Sequence, residues 1–294
     1  MSNNQINNES DEDKNASPSS HVLFGCMMKE SLIPLELEVE SGFEVGKGPP
    51  KLDVLIIRRH SDHWSKAQLD FLPDGVRQSH CSHVILELKY TESVNQIAIF
   101  QTLGYLGSYV KLKQLRIDDV CAFIVSSKTP GKKILKAIGF EQSNIKGVYS
   151  SKDQLLKPLQ IISLNELSDA NYNLWIKLFS STIKQKMSVL KKIVTLNLKK
   201  INRELLLIVL KIINFWKNIG GEKMQTIRRD LIAELGGVDD IMDFLLPEIK
   251  PEKVISRFKP FERLQGMKPE DILNELDVKT IEKYLKKVKK KSSK

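Results

Sequence analysis

Three polar side chains sit inside runs that otherwise read as apolar strands. Asp53 lies within Lys51-Leu52-Asp53-Val54-Leu55-Ile56-Ile57, and Glu87 and Lys89 lie within Val84-Ile85-Leu86-Glu87-Leu88-Lys89. A buried charge is costly unless it has a partner or a metal. Glu87 and Lys89 are two residues apart, which on a strand puts both side chains on one face. If the two strands are neighbours, Asp53 joins that face, and two carboxylates and an ammonium converge at one sheet edge. Such a set suits metal-assisted phosphodiester hydrolysis. Two carboxylates, waters and a phosphate oxygen complete the octahedral shell of Mg2+ (or Mn2+). The ion polarises the phosphate and acidifies water, while the lysine orients that water or steadies developing charge. The plainer alternative is a structural ion pair.

The elements that must position these residues follow from the periodicity. Val22 to Ile33 predicts a helix ended by Pro34, and Leu35 to Glu40 alternates as a half-buried strand. Gly42, Gly46, Gly48, Pro49 and Pro50 mark a turn before the strand at 51–57. Residues 58–82 are a polar excursion with a Pro73-Asp74-Gly75 turn, followed by the strand at 84–89. Thr91 or Ser93 is placed to cap a helix running to about Tyr109. Val120 to Val125 is a third apolar strand, and a short helix near 131–138 and one or two edge strands up to Ile162 complete the unit. The order helix, strand, strand, strand, helix, strand predicts an α/β layer fold with a mixed sheet. Residues 1–20 are polar and acidic and predict a disordered tail. The α/β domain is expected over 21–165, and an all-α basic region over 166–294, with helices at 166–192, 194–217, 223–235 and 238–246 and shorter ones beyond.

The segment Pro50-Lys51-Leu52-Asp53 followed by Glu87-Leu88-Lys89 resembles the signature of the PD-(D/E)XK nuclease superfamily. On the next predicted helix, Gln101-Thr102-Leu103-Gly104-Tyr105 resembles the Q-x-x-x-Y motif of its RecB-like members. Gln101 and Tyr105 lie one turn apart on one helix face. The wider chain is similar to bacterial recombination-promoting nucleases and transposase-like proteins. The similarity runs through Leu72-Pro73-Asp74-Gly75, Glu87 to Ser93, Gln101 to Tyr105, Ser126 to Pro130 and the tail Phe261 to Glu270. It implies a restriction-endonuclease-like αβββαβ core and a Mg2+-dependent DNA endonuclease. Asp53 and Glu87 would be the metal ligands, Lys89 the catalytic base or charge stabiliser, and Gln101 and Tyr105 further members of the site. The gap between Asp53 and Glu87 is longer than in minimal members, so an insertion has to be accommodated. Many members also use an acid near the first helix, for which Glu30, Glu36, Glu38 and Glu40 are the candidates here.

Charge is unevenly spread over the 294 residues, whose formal net charge is +10. Residues 1–180 hold 20 Lys+Arg against 21 Asp+Glu, whereas residues 181–294 hold 26 against 15. A cationic back half points to a polyanion, here DNA, bound with steep salt dependence. Lys184, Lys186, Lys191, Lys192, Lys199, Lys200 and Lys211 form the expected basic face, with Leu190, Ile193, Leu196, Leu205, Leu206 and Val209 packing inward. Lys259-Pro260 and Lys268-Pro269 open two copies of a short repeat, Val278 to Leu285 reads as a degenerate third, and a lysine-rich tail follows. A homodimer is a further expectation, because nucleases that cut both strands often pair. The rival reading is an inactive nuclease fold used for DNA binding or protein interaction. His60, His63, His80, Cys81 and His83 have zinc-like spacing, yet they read as solvated loop residues. Cys26, Cys81 and Cys121 do not read as a disulfide framework, which together with the polar N-terminus predicts a cytoplasmic protein. The apolar stretch at 205–216 is too short and too charged to span a bilayer, so no membrane partner is expected.

Overall fold

The structure, a computed structural model, describes residues 19–45, 51–58, 63–195, 203–220 and 251–292. It falls into two compact units, Met1–Glu234 and Leu235–Lys294. The first is an α/β unit around a seven-stranded mixed sheet. Its elements are α1 (Ser20–Leu32), β1 (Glu38–Glu44), β2 (Lys51–Ile57), α2 (Lys66–Leu69), β3 (His83–Lys89), α3 (Gln96–Lys113), β4 (Val120–Ser126), α4 (Lys132–Ala137), β5 (Phe140–Gln142), β6 (Val148–Ser151), β7 (Leu159–Ser163), α5 (Leu174–Lys177), α6 (Ile183–Thr195) and α7 (Arg203–Gly220). The second holds α8 (Pro251–Ile255), α9 (Pro260–Leu264), α10 (Pro269–Asn274) and α11 (Val278–Ser292).

The strand order is β1-β2-β3-β4-β7-β6-β5. β1, β2 and β3 pair antiparallel, β3, β4 and β7 pair parallel, and β7, β6 and β5 pair antiparallel again. β3 and β4 are buried along almost their whole length, which is why both read as continuous apolar runs. One sheet face carries Ile85, Ala122 and Ile124 and packs on Ala98, Ile99, Tyr105, Leu106 and Tyr109 of α3. α1 packs on β1 and β2, and α7 packs on α1. Gly25 is where α1 comes closest to the sheet. A Cβ added there would stand 2.7 Å from Ser41 Cβ, so only glycine lets the helix lie this tightly.

The expected elements need three corrections. β7 is a central strand between β4 and β6, because a parallel partner can be far away in sequence. The N-cap of α3 is Asn95, whose side chain accepts from Ala98 N–H at 2.9 Å, so neither Thr91 nor Ser93 caps it. No single helix fills 166–192. Among the described residues, a 3-10 turn at Asn171–Asn173 leads into α5 and then α6. α5, α6 and α7 fall within the first unit, Met1–Glu234. The expected helices at 223–235 and 238–246 lie outside the described residues. Pro260 and Pro269 do begin α9 and α10, and Lys286 to Lys289 continue α11.

The expectation of unpaired cysteines is also corrected, because Cys81 and Cys121 form a disulfide. They precede and open two parallel neighbours, β3 and β4, which brings Cα atoms 40 residues apart in sequence to 5.8 Å. Closing a loop of that length restricts the unfolded chain, so reduction, or Cys81→Ser with Cys121→Ser, is expected to cost about 2–4 kcal/mol. Thermal denaturation with and without reductant measures it. Among the described residues, no helix is long and apolar enough to cross a membrane.

The excursion at 58–82 is fastened to the helices by a buried polar knot. Asn173, fully buried, donates through Nδ2 to Asp74 Oδ2 at 2.8 Å and accepts from Asp74 N–H through Oδ1 at 2.9 Å. Ser168 Oγ donates to Asp74 Oδ2 as well, and Gln78 Nε2 donates to Asp74 Oδ1. The Leu72-Pro73-Asp74-Gly75 stretch therefore anchors a loop. Asn173→Ala strands several buried partners and is expected to destabilise by about 2–4 kcal/mol in denaturant titration.

Candidate functional site

The β2–β3 ladder runs from Ile57↔His83 to Val54↔Leu86 and then stops. One more step would set Asp53 opposite Glu87. There the strands part, and the Asp53 carboxylate takes the place of the next backbone acceptor. Leu88 N–H donates to Asp53 Oδ2 at 2.7 Å. The bond to Leu88 N–H thus holds the Asp53 carboxylate on β3 next to Glu87.

Lys89 follows two residues after Glu87 and its Nζ donates to Glu87 Oε1 at 3.0 Å. Both side chains are nearly buried, at 7% and 6% exposure. The same Nζ donates to Gln101 Oε1 at 3.1 Å, and Gln101 Nε2 donates to the Tyr105 hydroxyl. Glu87, Lys89, Gln101 and Tyr105 thus form one hydrogen-bonded chain from β3 to α3. The other oxygen of Glu87, Oε2, is buried and has no hydrogen-bond partner among the described residues. Burial foremost, then the charge of Asp53, pushes Glu87 up to about 7 against the opposing pull of Lys89. Burial also lifts Tyr105 above its usual value, with the charge of Glu87 adding to it.

The sequence reading overlooked His21. It stands in the first turn of α1, and its Nδ1 lies 2.9 Å from each Asp53 oxygen. The hydrogen bond to Asp53 is the main cause that raises its pKa, and partial burial opposes it. Gly25, one turn along α1, permits the approach that brings His21 this close. A titratable histidine at the start of an apolar helix was the available signal. Glu30, Glu36, Glu38 and Glu40 do not line the pocket at this centre. That pocket, of about 250 Å³, is walled by His21, Glu87, Lys89, Tyr90, Glu92 and Gln101 among others.

The Asp53 charge acts on Glu87, and one Glu87 oxygen is unsatisfied, which would fit a divalent cation that keeps several waters and takes only one or two protein carboxylates. Asp53 and Glu87 would hold it, with His21 beside Asp53 within reach. Among the described residues, no group of three or more His, Cys, Asp or Glu side chains is gathered closely enough to hold a metal by itself. Of the zinc-like set, Cys81 is in the disulfide, His83 Nδ1 lies 2.7 Å from the Tyr109 hydroxyl, and His60 lies outside the described residues.

A larger cavity, about 610 Å³, opens beside α4 and the β5–β6 hairpin and is lined by Lys132, Lys136, Glu141 and Glu166 among others. Tyr149 donates to Glu166 there at 2.9 Å, and the carboxylates and lysines do not converge as they do around Glu87.

The expected basic face is only partly present. Lys184, Lys191 and Lys211 are exposed. Lys192 is half-buried and donates to the Asp169 carbonyl at 2.7 Å. Lys186 is a correction. It is buried, donates to the Tyr90 hydroxyl at 3.1 Å and lies 4.9 Å from the Trp216 ring centroid, and burial lowers it to about 8. The helix turns its 186 position inward because Val189, Leu190 and Ile193 share that side. Lys199, Lys200 and Leu196 lie outside the described residues. Leu190, Ile193, Leu205, Leu206 and Val209 are all buried. In the second unit Lys279, Lys283, Lys286 and Lys287 are exposed along α11. No protein-family model, curated protein or solved structure matches this chain.

Proposed function

We propose that this chain is a Mg2+- or Mn2+-dependent deoxyribonuclease with a restriction-endonuclease-like αβββαβ core, as the PD-(D/E)XK resemblance implies. The observation that supports the reading is the end of the β2–β3 ladder at Asp53, whose carboxylate bonds Leu88 N–H next to Glu87, with Lys89 hydrogen-bonded to Glu87. A merely structural ion pair requires neither the second carboxylate nor the unpartnered Glu87 oxygen.

Asp53 and Glu87 would hold the cation. When bound, the ion supplies Lewis-acid polarisation of a phosphate oxygen and acidifies water. Lys89 is tethered by Gln101, which holds its ammonium in the pocket wall independently of Glu87. From there it orients the attacking water or neutralises charge on the phosphate. Tyr105 fixes the Gln101 amide and acts through it as a positioning residue. His21 locks Asp53 in its rotamer. The exposed lysines of α6, α7 and α11 supply phosphate contacts that strengthen DNA binding at low salt, and a homodimer would let two sites act on two strands.

The test is cleavage of plasmid and linear DNA in Mg2+ or Mn2+ against a chelator control. The parent protein is expected to cut only with the metal, and Asp53→Asn to be inactive. The rival is an inactive fold that binds DNA or protein, and the close Lys89–Glu87 contact favours it. Metal-independent DNA binding with no cleavage in either protein would establish that rival.

A further inference from the structure

An ordinary surface helix is apolar on one side only. α3 is apolar on both. Its inner face packs on the sheet through Ala98, Ile99, Tyr105, Leu106 and Tyr109. Its outer face presents Ile97 and Phe100, which are 76% and 72% exposed. Residues three apart on a helix are neighbours, so these two make one patch. Large side chains left in water as a contiguous patch mark a contact surface.

The patch adjoins the site. Ile97 stands four residues before Gln101, the residue that receives Lys89 Nζ, and is therefore its neighbour on the helix surface, with Phe100 next to Ile97. Ile97 lies one turn nearer the N-terminus, toward the loop whose Thr91 and Glu92 line the pocket. Farther along the same side, Gly104 and Gly107 leave open space, since a Cβ on either would meet nothing within 4 Å. Lys111, exposed, comes next on that stripe, about 15 Å from Gln101 along the helix axis. The stripe therefore runs from an apolar pair at the site, over two glycines, to a cation.

We infer that Phe100 and Ile97 hold an unstacked nucleobase beside the phosphate at the site, so that the substrate is a single strand or a frayed end laid along α3. This rests on the nuclease reading and adds the substrate class to it. A polynucleotide offers what the stripe complements: a flat apolar base at one end and a phosphate for Lys111 farther on. Base stacking on an aromatic ring is tolerant of sequence. In a paired duplex the bases face one another inside the stack, so a ring beside the phosphate reaches a base only where the strand has opened. Gly104 and Gly107 let the sugar-phosphate chain lie close to the helix between those two contacts.

The experiment is a cycle between protein and strand. Parent, Phe100→Ala and Phe100→Trp are titrated with labelled single strands in Ca2+, each strand identical except for one abasic site moved along it. At one or two adjacent positions the abasic site is expected to weaken the parent about five- to hundredfold. It should weaken Phe100→Trp similarly and Phe100→Ala hardly at all, because the contact is already gone. Phe100 is exposed, so its replacement leaves the fold intact, and circular dichroism and Mg2+-dependent cleavage are read in parallel. A parent that cuts DNA but shows the same abasic penalties as Phe100→Ala overturns the base contact and leaves the nuclease reading standing. A parent that neither cuts nor binds strands overturns both. A change of oligomeric state in Phe100→Ala, seen by sedimentation, would assign the patch to a second copy of the chain and overturn the inference.

Discussion

Lys89→Ala is expected to lower metal-dependent DNA cleavage by about 10²–10⁴-fold, the range for removing a positioned proton-transfer group or an electrostatic stabiliser. The same change also disturbs the fold. Lys89 is the hydrogen-bonded cation on a carboxylate that is nearly buried. Breaking such a pair by deleting one partner costs about 3–5 kcal/mol when the survivor keeps its charge. Here the survivor has a way out. Lys89 lowers the pKa of Glu87 through its charge and its hydrogen bond, so without it Glu87 holds its proton to higher pH and the cost shrinks in acid. Lost activity alone therefore does not separate chemistry from misfolding. The double variant Glu87→Gln with Lys89→Met does separate them. A neutral pair of similar volume is often as stable as the ion pair it replaces. That protein is expected to melt at or above the parental temperature and still fail to cut. Should Lys89→Ala retain cleavage within tenfold of the parent while folding normally, Lys89 has no role in the reaction.

Which parts of this arrangement the sequence revealed depends on how local their physics is. β2, β3 and β4 announced themselves because strands buried on both faces are continuous apolar runs, and Asp53, Glu87 and Lys89 stood out as interruptions. The helix carrying Gln101 and Tyr105 was legible from its spacing, although its cap was misplaced because Thr91, Ser93 and Asn95 are all capping types within five residues. Pairings between distant segments left no such trace. Nothing local says that β7 lies beside β4, that Cys121 meets Cys81, or that Asn173 closes on Asp74. The partner of His21 escaped for the same reason, since it is set only by the packing of α1 against β1 and β2 beside Gly25. Lys186 misled in the opposite direction. A lysine among lysines reads as surface, and only the packing of Tyr90 and Trp216 around it shows that it is not.

The unpartnered oxygen of Glu87 makes the pH dependence of the metal-free protein a second direct test. In the unfolded chain Glu87 titrates near 4.5, and in the folded protein it is pushed up to about 7, burial first and the Asp53 charge next. A carboxyl whose folded pKa is raised favours the folded state while it stays protonated. As the pH rises from about 4.5 through 7, the unfolded chain releases this proton first, and stability falls. The full difference corresponds to about 3 kcal/mol, since each pKa unit is worth about 1.4 kcal/mol. Glu87→Gln removes the ionisation while keeping the shape. Leaving Lys89 without its carboxylate adds a cost that does not depend on the Glu87 titration, so the expected result is a gain of about 1–3 kcal/mol relative to the metal-free parent between pH 5 and pH 8, each kcal/mol being worth about 2–4 °C in melting temperature. Mg2+ or Mn2+ should raise the parental melting temperature at pH 8, where Glu87 is ionised, less so at pH 5, and hardly at all in Glu87→Gln. The parent would then be a protein that carries a destabilising carboxylate until a cation relieves it, as a site selected for function rather than stability does. If Glu87→Gln gains nothing relative to the parent between pH 5 and pH 8, and the parent shows no added response to the cation, Glu87 belongs to a structural pair and the metal site proposed at Asp53 and Glu87 is wrong.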